Sequence, residues 1–379
     1  MKVFLGKGVD DIHSLIFEMS PDWEIVSDTD LADALIIVDN NGVDLEPIRQ
    51  HYRPHQVLII QMIFHLGEYM SYDWYCNCIK AKFKSITNKI VIIHNNLSYM
   101  HCAGMVYYDH LFDRQKLHST DYDSGIRLDQ RVWTYQCTKE MYALHPIDKK
   151  MEKKYLALMR IYYCNLPGQR RAGRMVVRER IKSLLNKTYS HMSDDHTTLF
   201  LPNGTTDNVT MYTRRSTGGV WYPVSNTYYD TSIVSVYTET LVEHSYHNSP
   251  KNLASIVTEK TMDPMIRGNF VLPFGYPGLI KDITDIYGFK LPDWIDYSYD
   301  SIIDNADRLV AYEESLKKLD AYSLEEMYAL CTRDLHILEY NRSVFFTRPY
   351  SFLVLHKNVL DAIAANEAVG WDLACLELV

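Results

Sequence analysis

The stretch Ile256–Gly278, IVTEKTMDPMIRGNFVLPFGYPG, decides how the chain is read. An apolar strand-like start hands over at Thr258-Glu259-Lys260 to a short helical stretch. A second apolar strand, Phe270–Phe274, follows at once and is closed by Gly275 and Gly278. Strand, helix and strand at this spacing predict adjacent parallel strands. Polar residues at the mouth of such a unit stand beside the unpaired N–H groups and positive dipole end of a helix. Phosphates bind well there. A carboxylate in the same place does something else: it accepts two hydrogen bonds from the vicinal hydroxyls of a ribose. The three residues also read as a plain cap, with Thr258 at N-cap and Glu259 against the dipole. The turn Phe274-Gly275-Tyr276-Pro277-Gly278 carries glycines that allow close backbone approach.

Outward from this stretch, the first half of the chain alternates apolar runs with amphipathic segments. Met1–Leu5, Ala34–Val38, Val57–Met62 and Ile90–Ile93 read as strands, with polar residues after each, among them His94. Tyr107–Leu117 reads as a helix start and Pro146–Lys154 as a hinge. The pattern then restarts with a strand in Tyr155–Cys164 ending at Asn165, a basic helix over Arg170–Leu185, and a strand Ile233–Tyr237 followed by Thr238-Glu239-Thr240. Helices are expected at Gly278–Tyr287, Ser301–Leu319, Ser323–Phe345 and Tyr350–Asn366. Buried β-branched runs alternating with helices place the chain in the α/β class. Two Rossmann-like domains facing a cleft are expected, over 1–150 and 151–347, with 348–379 as a C-terminal helix returning to the first.

Composition narrows the function. The 379 residues carry a net charge of −9, which argues against broad phosphate contacts with nucleic acid and leaves only a local patch for them. The 29 tyrosines suit surfaces that stack on sugars or bases. Seven cysteines without zinc-type spacing read as reduced thiols, hence a cytoplasmic protein. The N-terminus becomes charged too early for a signal peptide, and no apolar run is long enough to span a membrane. No metal site is expected.

One local charge reversal stands out. Arg160, Arg170, Arg171, Arg174, Arg178, Arg180, Lys182 and Lys187 face a single acid, Glu179. Arginines at a helix start suit a diphosphate better than an extended nucleic acid. Arg178, Lys182 and Lys187 read as a solvated face.

The combination of YYCNLPGQRRAGRMVVRERI with VTEKT and GNFVLPFGYPG resembles the nucleotide-binding half of GT-B glycosyltransferases. The nearest forms are α-1,3-fucosyltransferase-like enzymes and a group of tailed-phage enzymes that glycosylate hydroxymethylated pyrimidines in DNA. The likeness covers 155–347, and Leu338–Phe346 resembles the phage group's closing helix. It implies that Asn165, Arg170, Arg171 and Arg174 hold the donor diphosphate. It further implies that Glu259, in Thr258-Glu259-Lys260, holds the ribose, with Lys260 near the phosphates. The insertion Leu166-Pro167-Gly168-Gln169 separates Asn165 from the arginines more widely than in the fucosyltransferases. A nucleotide-sugar, UDP-linked, is then the co-substrate, and no other cofactor is implied.

By the same logic the first half binds the acceptor. An inverting transfer needs a base, for which Glu68, Asp73 and Asp109 are candidates, while a retaining one does not. Tyr72, Trp74 and His94 are candidate acceptor contacts, the aromatics stacking on a flipped base. A DNA-modifying enzyme would gather Lys80, Lys82, Lys84, Lys89 and Arg114 beside its cleft. A transferase acting on a surface glycan, and a non-catalytic nucleotide- or sugar-binding protein, remain as alternatives. Oligomeric state is not legible.

Overall fold

The computed structural model describes residues 1–6, 22–39, 52–53, 55–62, 90–94, 105–109, 113, 147, 151–158, 177, 180–181, 183–185, 190–193, 199–200, 206–207, 226–239, 242, 256–349, 351 and 355–369. The chain divides into two compact units, each assembled from separated segments. The first comprises Met1–Asp113, Ser245–Ile256 and Pro349–Val379; the second comprises Arg114–His244 and Val257–Arg348. The boundaries expected from sequence, at 150 and 347, compare with breaks at 113 and 348 and with a short return of the chain to the first unit at 245–256.

The first unit holds strands β1 (Lys2–Leu5), β2 (Glu24–Ile25), β3 (Ala34–Asp39), β4 (Val57–Met62), β5 (Ile90–His94) and β6 (Met105–Tyr107). They form one sheet in the order β2-β1-β3-β4-β5-β6, parallel throughout. Val3, Ala34, Ile36, Ile59, Val91 and Ile93 pack in its core with Leu355, Val359 and Ala362 of a C-terminal helix (Leu355–Val369). The residues at 355, 359 and 362 recur at helical spacing, so one face of that helix covers the sheet. Tyr107, expected to open a helix, instead ends β6, where it pairs with His94. Its strand lies at the sheet edge and is three residues long, too brief to leave a legible period.

The second unit holds β7 (Lys153–Leu158), β8 (Ser190–Ser193), β9 (Leu199–Phe200), β10 (Thr206–Asp207), β11 (Ser232–Thr238) and β12 (Phe270–Phe274). Their order is β10-β9-β8-β7-β11-β12; β8, β7, β11 and β12 run parallel, and β9 and β10 add an antiparallel edge. Lys153 and Lys154, read as part of a hinge, begin β7. Lys154 is tolerated in a buried position because its ammonium donates to the Asp320 carbonyl at 3.1 Å. Val177, Ile181 and Leu185 are buried at a spacing of four, which gives the basic segment an apolar face. Arg180 on the other face is exposed and stands 3.7 Å from Glu313.

Among the described residues, the helices of this unit whose bounds are defined are α1 (Asn226–Asp230), α2 (Glu259–Ile266), α3 (Leu279–Asp285), α4 (Asn305–Asp320), α5 (Leu324–Arg333) and α6 (Leu335–Thr347); the C-terminal helix of the first unit is α7. The single helix expected over Ser323–Phe345 is two, broken at Asp334. Ser323 and Glu326 start α5 with a reciprocal capping box. Asp334 leaves helical geometry because its carboxylate is taken by the Trp294 indole at 3.1 Å and by Arg333 at 2.7 and 2.8 Å. In α6, Asn341 is buried and pairs with both backbone groups of Lys290, at 2.8 Å each. No helix among the described residues is long and apolar enough to cross a membrane.

Candidate functional site

Strand β11, SIVSVYT, is buried along its whole length. It lies between β12 and β7, with Thr238 opposite Phe274 and Tyr237 opposite Leu158. From β7 the chain runs outward through β8 to one side and returns with β11 on the other. Such a reversal opens a crevice at the C-terminal ends of the two central strands, where open α/β sheets bind ligands. Glu239, the residue after β11, stands at that edge. In sequence, the arginine-rich segment follows β7 and lies outside the described residues.

Glu239 is 0% exposed. Its N–H donates to the Phe274 carbonyl at 2.8 Å, which extends the β11–β12 ladder by one step. One carboxylate oxygen, Oε1, accepts the Thr258 N–H at 2.9 Å and the Thr261 hydroxyl at 2.8 Å. The other, Oε2, accepts the Thr258 hydroxyl at 2.7 Å. Tyr237 donates in turn to the Thr261 hydroxyl at 2.8 Å. Burial, and then the charge of Glu239, push the Tyr237 hydroxyl well above the ordinary tyrosine value. The Thr258 N–H and the hydroxyls of Thr258 and Thr261 all converge on the carboxylate, which only accepts.

The Thr258-Glu259-Lys260 turn sits on this carboxylate. Residues 256–258 form no strand, so the expected handover from strand to helix is a helix start alone. Thr258 is extended, with φ −114° and ψ −178°, and caps α2 by accepting the Lys260 N–H at 3.3 Å. The Lys260 ammonium donates to the same hydroxyl oxygen, also at 3.3 Å. The capping role weighed for Thr258 is therefore present. Glu259 is the first residue of α2; its side chain lies outside the described residues. The far end of α2 closes on Gly268 at φ 83°, with the Asn269 N–H on the Pro264 carbonyl at 2.9 Å.

A buried carboxylate beneath the first turn opposes the half positive charge of the helix dipole. That leaves the mouth of α2 better matched to a hydroxyl-bearing group such as a ribose than to a phosphate, with Lys260 as the nearby cation.

The glycine turn after β12 serves this same arrangement. A Cβ on Gly275 would stand 2.5 Å from Leu279 Cδ2 and 3.3 Å from the Glu239 Cβ. The close approach that this glycine permits is therefore to α3 and to Glu239, not to a ligand. Gly278 adopts φ 88° at the start of α3. Asp300 holds that start: its carboxylate accepts the N–H groups of Ile280 at 3.0 Å and Lys281 at 3.3 Å, and its carbonyl accepts that of Gly278 at 2.9 Å. Beside it, Tyr276 donates to Asp282 at 2.7 Å, and burial raises the Asp282 carboxyl.

Burial pushes the Asp300 carboxyl from 3.8 up to about 6, against the two backbone donors that lower it. The folded state thus binds this proton more tightly than the unfolded chain does. The stabilisation is complete below about pH 4 and is lost as pH rises through about 6. Replacing Asp300 with Asn removes the titration. The unfolding free energy of wild type relative to Asp300→Asn should rise by about 2 kcal/mol as pH falls from 7 to 4, and the melting temperature with it. Parallel melts across that range check it; a constant difference would contradict it.

In the first unit, His94 ends β5 and is 1% exposed, and its carbonyl accepts the Tyr108 N–H at 2.7 Å. Asp109 follows β6, is 4% exposed, and its carbonyl accepts the Asp113 N–H at 3.0 Å. Asp113 in turn accepts both the N–H and the hydroxyl of Ser351, at 2.8 and 2.7 Å. Burial, then Asp113 and Asp109, raise the Tyr108 hydroxyl well above its ordinary value. His94 and Asp109 thus share the C-terminal edge of two neighbouring strands, and both are almost closed to solvent.

Asn165, Arg170, Arg171, Arg174, Glu68, Tyr72, Asp73, Trp74, Lys80, Lys82, Lys84, Lys89 and Arg114 lie outside the described residues. Among the described residues no group of three or more His, Cys, Asp or Glu side chains converges as a metal site. A shallow depression of about 240 Å³ between Leu184 and Leu316–Ala321 lies beside the start of β7, not at its C-terminal end. Sequence reading passed over Glu239, although its position, directly after a fully apolar strand, is where such sheets present ligand-facing groups. No protein-family model, no curated protein and no solved structure matches the chain.

Proposed function

We propose that the chain is a GT-B glycosyltransferase that binds a nucleotide-sugar, UDP-linked, in its second unit and an acceptor in its first. The observation that carries this reading is the buried Glu239 at the end of β11, with the Thr258-Glu259-Lys260 turn seated on it, where the strand order changes direction between β7 and β11. In sequence, Asn165 and the arginines follow β7. A ribose at the α2 mouth and a diphosphate at the arginines suit that division of charge. The resemblance to phage enzymes supports a hydroxymethylated pyrimidine in DNA as acceptor.

In the reaction the acceptor hydroxyl oxygen forms a bond to the anomeric carbon as the bond from that carbon to the diphosphate oxygen breaks. The nucleoside diphosphate leaves with the electron pair. Arg170, Arg171 and Arg174 stabilise that charge. With inversion, the hydroxyl proton passes to a base, for which Asp109, Asp73 and Glu68 are the candidates.

The test offers UDP- and GDP-sugars with hydroxymethylcytosine DNA, unmodified DNA and a simple glycan, read by mass. A mass gain on hydroxymethylated DNA alone is expected. Glu259→Ala should cut that transfer about 30- to 100-fold with the melting temperature retained, as expected for two lost hydrogen bonds to the ribose. Transfer to the glycan alone would move the acceptor, and no transfer together with no nucleotide-dependent rise in melting temperature would end the reading.

A further inference from the structure

We infer that Glu239 is a positioning residue of the donor site: through Thr258, its carboxylate sets where the first turn of α2 and the Lys260 ammonium stand. The inference rests on the nucleotide-sugar reading and goes beyond it, because Glu239 itself is too buried to touch a ligand.

Three observations carry it. First, stability alone does not call for a carboxylate here. Thr258 already caps α2 with its own side chain, and a buried charge is costly where well-packed apolar residues would often serve as well. Buried networks that are fully satisfied instead specify one geometry. Second, the Thr258 hydroxyl is saturated. Its hydrogen is committed to Glu239 Oε2 at 2.7 Å, and its lone pairs face the Lys260 N–H and the Lys260 ammonium, both at 3.3 Å. Third, Glu239 is tied to the sheet as well as to the helix. Its own N–H is on Phe274, and its Cβ fills the space that Gly275 leaves open. The carboxylate therefore references the α2 turn to the ends of β11 and β12.

Glutamine at this position has the right volume and the wrong polarity. Its carbonyl would take the two donors at Oε1. Its amide would then face the Thr258 hydroxyl with a hydrogen, where the carboxylate offered a lone pair. The hydroxyl must turn, and it can no longer hold both groups of Lys260.

Calorimetric titration of UDP and GDP into the full-length protein tests this, at a temperature where melting curves show each variant folded. Glu239→Gln should raise Kd about tenfold or more, the loss of a positioned charged contact. Thr258→Val, which cuts the link while leaving Glu239 in place, should do the same. Ser323→Ala, which removes the α5 capping box elsewhere in the unit, should bind as wild type does. Faster amide exchange at Lys260 and Thr261 in Glu239→Gln is expected alongside. If wild type binds and both Glu239→Gln and Thr258→Val bind equally well, the role of Glu239 is overturned and the donor reading stands. The same holds if Glu239→Gln fails to fold and Thr258→Val binds normally. If wild type binds neither nucleotide, both readings fall together.

Discussion

Glu239→Ala is expected to destabilise the second unit by about 4 kcal/mol. The side chain is 0% exposed and accepts three hydrogen bonds of 2.7–2.9 Å. Alanine leaves the Thr258 N–H and the hydroxyls of Thr258 and Thr261 without that acceptor. Each buried group so stranded costs about 1–3 kcal/mol. Relief from burying a charge offsets part of the sum, and hydroxyls that find new acceptors offset more. Urea unfolding of wild type and variant, followed by hydrogen exchange of β11 and α2 amides, measures the change. A difference under about 1 kcal/mol would mean that water replaces the carboxylate. The damage should be local first. Amides of the α2 first turn should lose protection before those of β7, because the ladder between β7 and β11 does not involve Glu239.

Arg308→Met should cost about 3 kcal/mol, for the mirror-image reason. Arg308 is 1% exposed within α4, and its guanidinium donates to backbone carbonyls and a side-chain amide. It donates to the carbonyls of Ile302 at 3.1 Å and Ile303 at 3.3 Å, to Asn305 at 2.7 Å, and to the carbonyl of Val242. Its guanidinium carbon also stands 5.1 Å from the centre of the Phe274 ring. The bond to Val242 pins the chain just past β11 to α4, and those before the helix pin its entry. Methionine fills much of the volume, so the loss reads hydrogen bonding rather than a cavity. A denaturant midpoint unchanged from wild type would refute the assignment. Because the Arg308 charge also lowers the Asp300 carboxyl, the variant should push that group further up. The pH dependence described for Asp300 should therefore move to higher pH in Arg308→Met.

Much of the framework could be read directly. The runs at 34–38, 57–62, 90–93 and 233–237 are strands within a residue or so, and Phe270–Phe274 is a strand to the residue. Runs of β-branched residues are local signals, and burial on both sheet faces leaves them no other use. Thr258 as a cap was equally legible, since capping needs only residues two or three positions away. Reading failed where the deciding partner was distant or the element short. Tyr107 belongs to a strand of three residues, and the break at Asp334 depends on Trp294.

The candidate site divides along the same line. The chain alone marked the Thr258-Glu259-Lys260 turn and the arginine cluster, because a helix start and a run of like charges are written in consecutive residues. It also determined the α/β class, through alternation of buried strands with helices. Tertiary structure alone decided that Glu239 is the acceptor beneath that turn, gathering donors from 19 and 22 positions along the chain. It likewise decided that Arg308 is buried, that Gly275 makes room for Leu279 and Glu239, and that each unit is built from separated segments. A charged side chain reads as surface in any sequence window. Whether it is instead the centre of a buried network depends on which hydrogen-bonding groups the folded chain brings to it, and no local pattern carries that information.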